Sequence, residues 1–125
     1  MNWIATGAFL LAAAVALGAF GAHGLRGRLD AYSMSLYERA VFYHFVHGLG
    51  LLLIALLARI NAITLAGQAR AGWLLVLGIL LFCGSLYALA ISGLRILGAI
   101  TPIGGVAFIA GWIVLAYESL RAPRL

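Results

Sequence analysis

The chain has 125 residues, 66% of them hydrophobic and only 9% charged, against roughly 25% charge in an ordinary soluble domain. That composition excludes a water-soluble globule, and at about 20 residues per crossing the length accommodates one domain of four bilayer crossings, with no room for a separate soluble catalytic domain. The net charge of +5 comes from eight arginines and no lysine, spread singly over the connections, which marks headgroup anchors rather than a nucleic-acid surface.

The first apolar stretch covers residues 3–22. It follows Met1-Asn2-Trp3-Ile4, which lacks the basic start of a secretory signal, and its 20 residues exceed the usual signal core, so it reads as a retained helix. Residues 23–34 hold Leu25, Leu29 and Tyr32 at helical spacing with Arg26, Arg28 and Asp30 between them, as expected of a short interfacial segment weakened by Gly24 and Gly27. Ser35-Leu36-Tyr37-Glu38 has capping-box spacing, which predicts that helix two starts near Leu36 and runs over about 36–58. After a mildly polar connection at residues 59–70, the third helix is expected at 71–92. It contains the single cysteine, Cys83, so neither an intramolecular disulfide nor a thiolate metal cluster is available. Residues 92–100 read as a tight turn. Thr101-Pro102 then supplies an N-cap hydroxyl and a proline at the first helical position, opening helix four over about 102–120.

Each stretch is apolar around its whole circumference and β-barrel alternation is absent. The fold class is therefore all-α: a single domain over residues 1–125 forming an antiparallel integral membrane four-helix bundle. Gly18, Gly21, Gly24 and Gly27, Gly84 with Ala88, and Ala107 with Gly111 offer close helix approach. Orientation rests on arginines, four to a face: Arg59, Arg70, Arg121 and Arg124 oppose Arg26, Arg28, Arg39 and Arg95. Discounting Arg39 and Arg95 as partly buried places both termini in the cytoplasm of a multi-pass inner-membrane protein.

Antiparallel crossings bring most polar side chains to the face opposite the termini. His23 closes helix one; Glu38, Arg39, Tyr43, His44 and His47 lie early in helix two; Ser85, Tyr87 and Arg95 come from the end of helix three and its turn; Thr101 opens helix four. Trp3, Trp73 and Tyr117 on the other face resemble an aromatic belt. His47 falls roughly 16 Å past Leu36 at about 1.5 Å per residue, deep enough that it should face the bundle or a cavity. His23, Arg39, Tyr43, His47, Ser85, Tyr87, Arg95 and Thr101 are the candidate ligand-binding residues, beside the alternative that they only bond helix to helix. His44 and His47 have metal-pair spacing but no dependable third ligand, and no nucleophile triad, P-loop or dinucleotide fingerprint is present. We expect neither catalytic residues nor a metal or cofactor.

Gly18-Ala19-Phe20-Gly21-Ala22-His23-Gly24-Leu25, followed by Tyr43 and His47, Gly84-Ser85-Leu86-Tyr87 and Thr101-Pro102-Ile103-Gly104-Gly105, resembles the YgdD family, the domain-of-unknown-function-423 group of small bacterial membrane proteins, to which a human small transmembrane protein is similar. The resemblance covers nearly the whole chain. It implies four membrane helices and, for a bacterial source, an inner-membrane home; it implies no activity. Position by position it matches Gly18, Gly21, His23, Gly24, Tyr43, His47, Ser85, Tyr87, Thr101, Pro102 and Gly105. His44 stands where the family usually has another polar residue, which weakens the histidine pair further.

Three functional readings follow. The first is a non-enzymatic bundle that binds a lipid, quinone or other amphiphile, or docks a membrane-protein partner or second copy, at the polar face. The second is a small oligomeric transporter or channel, although Glu38 and Glu118 both sit near helix ends, where an acidic proton-exchange site would lie deeper. The third is a haem- or quinone-associated redox subunit using His23 and His47.

Overall fold

The computed structural model describes residues 1–122. Among these described residues, four helices are long and apolar enough to cross a membrane: α1 (Trp3–Leu25), α2 (Ala31–Arg59), α3 (Leu65–Ser92) and α4, which is preceded by a 3-10 turn at Arg95–Ala99 and runs over Thr101–Arg121. α1 lies along α2 and α3 along α4, and α2 also packs on α3, so two antiparallel hairpins meet through their inner helices. Tyr37, Leu51, Ile54, Leu75 and Cys83 are fully buried at that junction. Outward residues such as Phe9, Leu80, Ile109 and Leu120 remain exposed, as a surface facing hydrocarbon requires.

Helix ends differ from the expected ones, for reasons that lie in capping. α2 starts at Ala31, ahead of Leu36, because the Asp30 carboxylate accepts the Ser33 N–H at 2.7 Å. An ionised acceptor at a helix N-terminus satisfies an orphan donor and the helix dipole together. Ser35 then falls inside the helix, where its hydroxyl donates to the Tyr32 carbonyl at 2.6 Å, and the Ser35–Glu38 capping box does not form. α1 in turn extends past residue 22 as a π-helical turn, Gly21–Leu25, and the chain reverses at Gly27 with φ +84°. The interfacial segment shrinks accordingly to residues 26–30.

α3 starts at Leu65 rather than residue 71, since the Thr64 hydroxyl caps it by accepting from the Gly67 N–H at 2.9 Å. It contains a second π-helical turn, Ile79–Cys83, unannounced in the sequence. There α4 comes so close that a Cβ on Gly104 would run into the Phe82 backbone. Pro102 opens α4 as expected, but Thr101 does not cap it; its hydroxyl turns to Ser85.

Two further expectations change. Trp3 is not a belt residue: it is buried, edge-on to Trp73 at a centroid distance of 5.6 Å, with its ring against Gly72. Arg39 and Arg95 are exposed rather than partly buried, so there is no ground for discounting them in the arginine count. Arg124, the fourth arginine of the terminal face, lies outside the described residues.

Candidate functional site

Of the eight candidate residues, five are tied into bonds between or within helices. Ser85 and Thr101 share a hydrogen bond at 2.6 Å, and the Ser85 hydroxyl donates to the Phe82 carbonyl at 3.0 Å. The proton count then makes Thr101 the donor to Ser85, and the pair joins α3 to α4 beside the π-helical turn. Tyr87 bonds His44 through its hydroxyl and Nδ1 at 3.0 Å, joining α3 to α2. His47 donates from Nδ1 to the carbonyl of Tyr43 at 2.7 Å, one turn back on its own helix. Its ring stacks on Phe108 of α4 at a centroid distance of 3.5 Å, while Tyr43 packs on Phe82 at 4.5 Å. His47 thus faces the bundle as its depth demanded, and there it meets aromatic packing.

The other three candidates do not join this cluster. His23 and Arg39 are exposed on α1 and α2. With His23 on the outer surface and His47 stacked inside, the two do not flank a common space of the kind a bis-histidine haem needs. Among the described residues, no three His, Cys, Asp or Glu side chains gather as metal ligands.

Arg95 does line an open space. A hollow of about 590 Å³ lies between the start of α2 and the α3–α4 connection. Asp30, Tyr32, Ser33 and Arg95 give it a polar wall, and Leu36 and Leu89 an apolar one. One carboxylate and one guanidinium, at the helix ends where lipid headgroups sit, can meet a polar head bearing donors and acceptors. Asp30 is held below its ordinary pKa of 3.8 mainly by the backbone hydrogen bond from Ser33, so it presents a charge at neutral pH. Glycine at 93, φ +72°, ends α3 and opens this wall.

Three chemically able residues lay outside the candidate set. Asp30 was legible as a polar residue before a helix, a signal overridden by the Ser35–Glu38 spacing. His44 is buried, with Nδ1 on Tyr87, and its Nε2 is the one buried side-chain polar atom without a hydrogen-bond partner among the described residues. Glu118, on α4 at the terminal face, is 5% exposed. Its Oε1 meets Arg70 of α3 at 2.6 Å and its Oε2 accepts from the Thr64 hydroxyl at 3.4 Å. A Cβ on Gly67 would fall 2.6 Å from that Oε2, so the glycine makes the space that the carboxylate fills. Nothing in the sequence paired Arg70 with Glu118, because the pair depends on how α3 and α4 align.

The family described as "Protein of unknown function (DUF423)" matches residues 17–105. A UPF0382 membrane protein of Staphylococcus epidermidis is 52% identical over 119 residues, covering 95% of both chains. The UPF0382 membrane protein YwdK of Bacillus subtilis is 45% identical over 120 residues, covering 95% of this chain and 96% of its own. No solved structure matches the chain.

Proposed function

The chain belongs to the DUF423 family of membrane proteins of unknown function, and from that premise we propose that it is a non-enzymatic bundle that binds a lipid, quinone or other amphiphile at the face opposite its termini. The observation that carries this reading is the Asp30–Arg95 hollow. It combines a charged wall at headgroup level with an apolar wall continuous with the bundle, which is the division of surface an amphiphile has. The residues deeper in the bundle support the site by fixing its walls: Ser85–Thr101 holds α3 to α4 below the connection that carries Arg95, and His44–Tyr87 holds α2 to α3.

Native mass spectrometry of the protein released from a mild detergent tests this directly. A stoichiometric adduct that survives in the wild type and is lost in Arg95→Gln and Asp30→Asn, with helicity unchanged, is the expected result. Asparagine caps a helix about as well as aspartate, so the second variant removes charge without removing the cap. Adducts unaffected by both variants would refute the site, and a protein partner in place of an amphiphile would appear as a heteromeric mass. The proposed cellular setting is the inner membrane. Because arginines number four on each face, the count favours neither orientation, and alkaline phosphatase fused at the C-terminus decides it: an inactive fusion puts the termini in the cytoplasm, an active one outside it.

A further inference from the structure

A second opening lies on the other flank of α2, between α1 and α2, and none of the candidate residues lines it. It encloses about 350 Å³ and is bounded by Gly18, Gly21 and Ala22 of α1 and by Val41, Phe42 and Phe45 of α2. Arg26 and Glu38 stand at its mouth, 3.9 Å apart, with their side chains 71% and 62% exposed. From Met34 near the mouth to Phe45 is eleven residues of helix, or roughly 16 Å at about 1.5 Å per residue. The groove therefore begins at headgroup level and runs into the hydrocarbon along an almost wholly apolar lining.

We propose that this groove seats one acyl chain of a phospholipid whose phosphodiester meets Arg26. Three features choose this occupant. A helix with its side chains is about 10 Å across, too wide for an opening of this volume, whereas an extended hydrocarbon chain fits along it. The Arg26–Glu38 contact is long and exposed, so it holds the guanidinium only loosely, and a phosphate offers it a two-point, charge-assisted alternative. Glu38, beside that phosphate, repels a second anion and accepts from hydroxyl or ammonium donors, which fits a headgroup bearing one negative charge and a polar terminus. The floor is fixed: the Tyr37 ring occupies the place a Cβ on Gly21 would take, and its hydroxyl donates to the Leu17 carbonyl. The site does not depend on the Asp30–Arg95 hollow, which opens between α2 and the α3–α4 connection.

The test uses the full chain, delipidated in detergent and titrated with phosphatidylglycerol under native mass spectrometry. Ala22 is exposed in the groove wall, so Ala22→Phe should plug the groove and weaken binding of one lipid at least tenfold. Arg26→Gln should weaken it about tenfold, and should also erase a preference over a glycolipid of equal chain length that carries no phosphate. Asp30→Asn and Arg95→Gln should leave this lipid in place, so the two sites fail separately. Phosphatidylglycerol with a photoreactive group in mid-chain should label wild-type residues 18–22 and 41–45. Wild-type-like binding by folded Ala22→Phe, or labelling centred elsewhere, would overturn the proposal; if Ala22→Phe does not fold, the wild-type label decides alone.

Discussion

The Arg70–Glu118 pair is half in and half out of the protein, and that asymmetry sets an unequal cost for losing each partner. The Glu118 side chain is 7% exposed and that of Arg70 is 61% exposed. Arg70→Met leaves a carboxylate inside the bundle with only the Thr64 hydroxyl at 3.4 Å, and stranding a buried charge costs roughly 3–5 kcal/mol. Glu118→Gln leaves Arg70 able to reach water and headgroups, so only one charge-assisted hydrogen bond weakens, at about 1–2 kcal/mol. Arg70→Met with Glu118→Leu removes both charges and fills the space beside Gly67, so the double variant should lie within about 1 kcal/mol of wild type. Equilibrium unfolding in mixed micelles, followed by helicity, measures all four corners of the cycle. Equal costs for the two single variants, or a double variant as unstable as their sum, would refute the reading of Glu118 as a buried charge that needs its cation.

Further expectations concern packing and capping. Gly104→Ala should cost about 2–3 kcal/mol, since its Cβ meets the Phe82 backbone, which cannot rotate away. Gly84→Ala should stabilise α3 by roughly 0.5–1 kcal/mol, because nothing beyond its own stretch of helix lies within 4 Å of the added carbon; thermal denaturation in one detergent compares the two. His47→Ala should destabilise the bundle by about 2–4 kcal/mol through loss of the Phe108 stack while a bound amphiphile is retained, read by melting and native mass together. Asp30 binds its proton more weakly folded than unfolded, so its contribution to α2 is present above pH 3.8 and fades as pH falls through the lower folded value. Hydrogen exchange at the Ser33 amide should show that loss in the wild type and not in Asp30→Asn.

The number of helices and their approximate places were legible because the bilayer imposes a length and an apolar circumference that few sequences satisfy by accident. Helix ends were less legible, for a physical reason visible at Asp30. Two capping signals competed within a few residues, Asp30 and the Ser35–Glu38 spacing, and the ionised acceptor that comes first in the chain won. The start of α3 was hidden by Arg70, which looked like the edge of a span and is instead neutralised by a residue 48 positions later, Glu118. Neither π-helical turn, Gly21–Leu25 or Ile79–Cys83, had a sequence signal. Sequence reasoning brought Tyr43, His47, Ser85, Tyr87 and Thr101 into one region, and the structure gathers them. It could not divide them from Arg95, because exposure depends on which way each side chain turns at a helix end.

That division carries the functional argument. Inside hydrocarbon, a polar side chain must find a partner or cost several kcal/mol, so an interhelical bond is what a buried Ser, Thr, Tyr or His makes whether or not the protein binds anything. Ser85–Thr101 and the His47 turn bond meet that demand, while His44–Tyr87 meets it on one ring nitrogen and leaves the buried His44 Nε2 unpartnered; a satisfied group has little left to offer a ligand. Charged groups at the helix ends are under no such constraint. Asp30 is engaged only through its cap, Arg26 and Glu38 meet at the limit of an ion pair, and both Arg26 and Arg95 stand at the mouths of openings large enough for part of a lipid. Apart from that one ring nitrogen, the unspent bonding capacity among the described residues is therefore at headgroup level, flanking α2 on both sides, and a variant there should change what the protein binds while a variant in the deep cluster changes whether it folds.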